Sequence, residues 1–98
     1  MFRHVVMFQW SDETTASDRA AAVQALRVFG DEVAELGRLS VGADAGVSAG
    51  NYDAVVVVDF ATREDYLSYA SDPRHIAVIE TSIKPHLAAR AAVQTDLP

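Results

Sequence analysis

Cysteine is absent from this chain, proline occurs three times, and basic residues are scarce, with eight Lys and Arg against fourteen Asp and Glu. Without a thiol there are no disulfides, thiolate metal sites or cysteine nucleophiles, and the composition suits a reducing compartment. Cytoplasm is therefore the expected location. The formal net charge of −6 disfavours attraction to phosphate backbones and anionic lipid, so neither nucleic acid nor a membrane surface is an expected partner. Long apolar runs are missing too. The longest, Ala54 to Val58, is interrupted by Asp59, far short of the ~20 residues that a membrane span requires. Residues 1–10 carry neither the apolar stretch nor the small-residue cleavage site of a secretory signal. The histidines His4, His75 and His86 have no metal-ligand spacing. Phosphate loops, dinucleotide fingerprints and Ser-His-Asp elbows are also lacking, so no metal or cofactor is expected.

What is present is apolar patterning. Half of the 98 residues are hydrophobic, enough for one core, and the length predicts a single domain over residues 1–98. Residues 2–10 alternate, placing Phe2, His4, Val6, Phe8 and Trp10 on one face and Arg3, Val5, Met7 and Gln9 on the other. The polar stretch Ser11 to Thr15 offers N-caps for a helix from Ala16 to Phe29, with Ala22, Val23, Leu26 and Phe29 along its apolar stripe. Gly30 is expected to loosen that helix, Asp31 to Leu36 to resume it, and Gly37 to close it in a left-handed cap. Leu39 to Ala43 reads as a second strand, and Gly42, Gly46 and Gly50 punctuate the mobile connection after it. The β-branched run Ala54 to Phe60 is the expected central strand. Thr62-Arg63-Glu64-Asp65 resembles a capping box before a short helix. Asp72-Pro73 reads as N-cap and first residue of another, running through His75 and Ile83 toward Pro85. Leu87 to Leu97 is a last strand.

The order strand, helix, strand, strand, helix pair, strand predicts a ferredoxin-like α+β fold: a four-stranded antiparallel sheet with helices on one face. Strands 2–10 and 54–60 are apolar on both faces, so the uncovered face needs a partner. A second copy supplies it most simply, closing two sheets into a dimeric α+β barrel.

Arg3-His4-Val5-Val6, Asn51-Tyr52-Asp53 and Tyr69-Ala70-Ser71-Asp72-Pro73-Arg74-His75, in that order, resemble the stress-responsive A/B barrel family across nearly the whole chain. The resemblance implies the same homodimeric barrel. One plant member of that family closes a polyketide ring by aldol condensation. By that likeness His75 takes the place of its catalytic base, Tyr69 that of the assisting tyrosine, and His4 that of a substrate-binding histidine. A further histidine of that cyclase corresponds to Ala54 here, a helix tyrosine falls near Leu26, and the histidine common before the proline is Asp72.

An aldol cyclisation needs a base near neutral pH and a donor for the enolate or oxyanion. His75 sits in the first turn after Asp72, where the helix N-terminus disfavours protonation. No helical spacing brings Tyr69 to it across the break at Ser71-Asp72. The ligand implied is an apolar, oxygenated small molecule; the alternative is a noncatalytic dimeric ligand-binding or structural domain in which these side chains serve packing. Tyr52 and Asp53 could line an entrance or form a turn, and His86 falls where side chains satisfy the carbonyls of a helix end.

Overall fold

The computed structural model describes residues 1–98. Its elements are β1 (Phe2–Trp10), α1 (Ala16–Glu32), β2 (Arg38–Ala43), β3 (Ala54–Phe60), α2 (Arg63–Ser71), α3 (Pro73–Val78) and β4 (Leu87–Asp96). Between α3 and β4 the chain makes a π-helical turn over Ile79–Ile83 and a 3-10 turn over Lys84–His86. The strands form one sheet in the order β2-β3-β1-β4, every neighbouring pair antiparallel. With the helices on one face, this is the ferredoxin-like arrangement.

Alternation assigns the faces. Phe2, His4, Val6, Phe8 and Trp10 are all buried, as are Ala54, Val56, Val58 and Phe60. All but His4 join Ala22, Leu26 and Phe29 of α1 with Tyr69 and Ile83 in one core cluster. On the opposite face the register sets Val5 between Val57 and Val93, and Met7 between Val55 and Ala91. Met7, Val55 and Val93 stay exposed because no helix covers that side. At one end of this apolar band Arg3 donates to both carboxylate oxygens of Asp59, at 2.7 and 2.9 Å.

Helix starts follow side-chain capping. Thr15 accepts from Asp18 N at 3.0 Å while Asp18 accepts from Thr15 N at 3.2 Å, a complete capping box. The box expected at Thr62–Asp65 is half made: Asp65 N donates to Thr62 Oγ1 at 3.2 Å.

Two expectations at glycine are corrected. The helix α1 runs unbroken through Gly30 to Glu32, and Gly37 has no positive φ; that conformation is confined to Gly46 and Gly50 in the β2–β3 loop. Gly37 is instead a matter of space. A Cβ there would lie 2.7 Å from the Phe60 ring, which is wholly buried, so the missing side chain lets the turn after α1 lie against the end of β3. Gly30 acts similarly, a Cβ there meeting Leu39 at 3.0 Å.

Candidate functional site

Between the helices and the sheet lies a cavity of about 150 Å³, formed where α2, α3 and the π turn stand over β1 and β4. Its walls are mainly hydrophobic, with His4, His75 and Arg90 as the exceptions and the hydroxyl-bearing rings of Tyr66 and Tyr69 beside them. The three predicted site residues, His4, Tyr69 and His75, therefore share one cavity.

His75 is held by the way α3 begins. Arg74 N donates to Asp72 Oδ1 at 2.8 Å, the N-cap bond, and Pro73 occupies the first turn. The Arg74 guanidinium donates to both Asp72 oxygens at 3.0 and 2.9 Å, to Glu35 at 2.5 Å and to the Glu32 carbonyl at 2.6 Å. These bonds tie the start of α3 to the end of α1 and hold the Asp72 carboxyl at about 2. His75 Nδ1–H donates to the Ala70 carbonyl at 3.2 Å. A carbonyl can only accept, so in the neutral ring the lone pair is on Nε2.

The bend at Asp72 folds α3 back on α2 and sets the Tyr69 and His75 rings 4.6 Å apart, inclined at 43°. The helix break that separates them in sequence is what brings them together. Tyr69 is only 4% exposed and packs against Phe60 and Phe29 at 5.2 and 5.7 Å between centroids. Burial pushes its phenol well above the usual tyrosine range, so it is protonated and a donor at neutral pH. No buried side-chain polar atom in the chain lacks a partner. The Tyr69 hydroxyl and His75 Nε2 bond to nothing in the chain, and both residues line the cavity.

His4 has the opposite tautomer. It sits on β1 with its ring 5.1 Å from Tyr66 and 6.4 Å from Tyr69. Across the β1–β4 register it faces Gln94, whose amide Nε2 donates to His4 Nδ1 at 3.1 Å. The proton of the neutral ring is then on Nε2, making His4 a donor where His75 is a base.

Both imidazoles are harder to protonate than usual. Burial is the main cause for each; Arg90 and His75 add to it at His4. At His75 burial outweighs the opposing Ala70 hydrogen bond and the Asp72 charge. The direction agrees with the expectation from the helix N-terminus, but desolvation is the dominant cause. A consequence for stability follows. Unfolded imidazoles titrate near ~6.5 and the folded ones below that, so in between the unfolded chain binds more protons. Folding stability from these two groups is fully present above ~6.5 and is lost as pH falls toward the folded values. Urea denaturation between about pH 7 and pH 5 is expected to show falling midpoints, with a flatter slope in His4→Gln/His75→Gln. The paired carboxylates Asp59, Asp72 and Asp96, all depressed by arginine hydrogen bonds, lose their contributions only below ~3.9, outside that window. A flat wild-type profile would contradict the assignment.

Arg90 and Gln94 belong to the site but escape a reading of the sequence. Both lie on β4 in phase with Ala88 and Ala92, opposite Phe8 and His4 of the helix-facing side of β1. Only the strand register reveals this. Leu26 lines the cavity and Ala54 does not. Asp53 is structural, accepting from Trp10 N at 2.8 Å and facing Arg19 Nη1 at 3.5 Å. Tyr52 lies away from the cavity, and the His86 carbonyl accepts from Ser11 N at 2.8 Å and Thr14 Oγ1 at 3.3 Å. No group of three or more His, Asp or Glu converges as a metal site, and no helix is long and apolar enough to cross a membrane.

A family model described as Stress responsive A/B Barrel Domain matches residues 2–96. A dimeric ferredoxin-like protein of unknown function from Thermobifida fusca is 36% identical, with a TM-score of 0.89 over 98% of this chain and 90% of its own. A dimeric protein of unknown function and ferredoxin-like fold from Bacteroides fragilis, 18% identical, gives 0.81 over 98% and 95%. The hydroxynitrile lyase of Passiflora edulis, 13% identical, gives 0.81 over 99% and 93%. The latter two likenesses are of fold alone. No curated protein sequence matches the chain.

Proposed function

The chain belongs to the stress-responsive A/B barrel domain family, and we propose that it is a homodimer that binds an apolar, oxygenated small molecule between sheet and helices and abstracts a proton from it. The observation that carries this reading is the free Nε2 of His75 beside the Tyr69 ring, 4.6 Å away. His75 takes a proton from carbon next to a carbonyl. The Tyr69 hydroxyl and His4 Nε2–H donate to the oxygen on which charge develops. Apolar walls exclude water and strengthen both interactions. This is the first half of an aldol ring closure, and polyketide-like ketones suit it. The absence of thiols is compatible with the cytoplasm as the compartment.

Dimerisation is supported by the apolar band through Val5, Val57 and Val93 and by relatives described as dimeric. Sedimentation at micromolar concentration is expected to give twice the chain mass; a monomer would leave that band without its cover.

The proton-transfer reading is tested by proton NMR in D2O, following exchange of the α-protons of phenylacetone. Exchange that depends on wild-type protein and disappears in His75→Gln supports it. A second reading, a noncatalytic ligand-binding or structural dimer, is favoured by Leu26, an apolar wall near which, by the family likeness, the cyclase carries a tyrosine. Shifts of the Ile79 and Ile83 methyl resonances without exchange would select ligand binding alone. Neither shifts nor exchange would remove the cavity as a binding site for such ketones.

A further inference from the structure

We propose that the ligand of this cavity carries a carboxylate and that Arg90 is its counter-ion, the apolar remainder lying against Leu26, Phe29 and Ile83. This rests on the reading of the cavity as a binding site and adds the class of molecule. Among the lining residues no Asp or Glu appears. The two histidines are biased toward neutrality by burial and Tyr69 is held protonated. Arg90 is thus the one permanent charge on the cavity wall.

That charge has no partner within the chain. Arg3, Arg19, Arg63, Arg74 and Lys84 all form ion pairs, as expected where acidic residues outnumber basic ones fourteen to eight. Arg27 and Arg38 are unpaired as well but do not line this cavity. Arg90 lies opposite Phe8 on the helix-facing side of β4, and Arg90, Ala92 and Gln94 on that side are exposed. Its guanidinium therefore stands where the cavity meets solvent, able to take a carboxylate through two parallel N–H donors. A volume of about 150 Å³ suits a benzene-sized body. A ligand charged at one end and apolar at the other matches a cavity with the same polarity.

Benzoate and its neutral isostere benzamide separate the alternatives. Each is titrated into methyl-labelled protein, and the Leu26, Ile79 and Ile83 methyl resonances are followed. Wild type is expected to bind benzoate about tenfold more tightly than benzamide, the ordinary worth of a charge-assisted hydrogen bond. Arg90→Gln is expected to abolish that preference, and Arg90→Lys to keep part of it. Equal binding of both by wild type, or a preference that survives Arg90→Gln, overturns the role of Arg90 while the cavity still binds. Failure of both probes to move the methyl resonances overturns the carboxylate proposal at this cavity; phenylacetone, tested separately, then decides whether the cavity binds at all.

Discussion

Phe60→Ala is expected to destabilise the fold by about 3–5 kcal/mol, a large share of the roughly 5–15 kcal/mol that holds a typical domain together. Phe60 is wholly buried at the end of β3 and its ring meets Tyr66 and Tyr69 at 5.7 and 5.2 Å between centroids. On its other side it lies where a Gly37 Cβ would be. Truncation leaves a void that the turn at Gly37 cannot fill, since glycine has no side chain to extend. For a domain of this size the melting temperature should fall by at least about 12 °C. Urea denaturation measures the loss directly, and Phe60→Leu, which keeps most of the volume, should lose less. A cost under about 1 kcal/mol would mean that α2 collapses onto β3 and that Tyr69 is less rigidly placed than its packing indicates. The same void lies beneath Tyr69, so core and site are coupled: the ring that stabilises the sheet end also holds the donor in the cavity.

Much of this arrangement can be read from residue order, and the limits have physical causes. Alternation along β1 assigns His4 to the core face because a strand has a period of two. The β-branched run of β3 marks a strand, although only its helix-facing residues are buried, and Asp72-Pro73 marks the start of α3 because side-chain capping is a local interaction. The box at Thr15–Asp18 and the half-box at Thr62–Asp65 have the same Thr-x-x-Asp spacing, and nothing local says which is completed. Gly37 resembles a helix cap, yet its role depends on Phe60, twenty-three positions away. The approach of Tyr69 to His75 depends on the angle between α2 and α3. Arg74 fixes the start of α3 against the end of α1 by reaching back to Glu35 and to the Glu32 carbonyl, contacts between distant parts of the chain. Arg90 and Gln94 are hidden for a related reason. Alanines flank Arg90 on β4 and carry little face preference, so only pairing with β1 shows that it and Gln94 lie on the helix-facing side.

Replacement of His75 by glutamine is expected to lower α-proton exchange by about 10²–10⁴-fold, the usual contribution of a positioned base. Glutamine keeps polarity and approximate size but has no lone pair of comparable basicity, so loss of rate with retained phenylacetone binding isolates the chemical role from packing. The pH profile is the sharper test. The base is the neutral imidazole, and burial lowers the pKa of His75. The rate should therefore be on its plateau at neutral pH and fall only below the ordinary histidine value of ~6.5. On the alkaline side the Tyr69 phenol is raised above its normal range by burial, so no decline is expected where a free tyrosine ionises, near ~10. Tyr69→Phe removes one donor to the developing oxyanion and should cost about 10²-fold without moving the acid limb, because it does not alter which group takes the proton. If the acid limb instead lay above ~6.5, or persisted in His75→Gln, the base would be another group. His4 would not be an equivalent substitute, since Gln94 already donates to its Nδ1 and leaves the ring with a proton, rather than a lone pair, on Nε2.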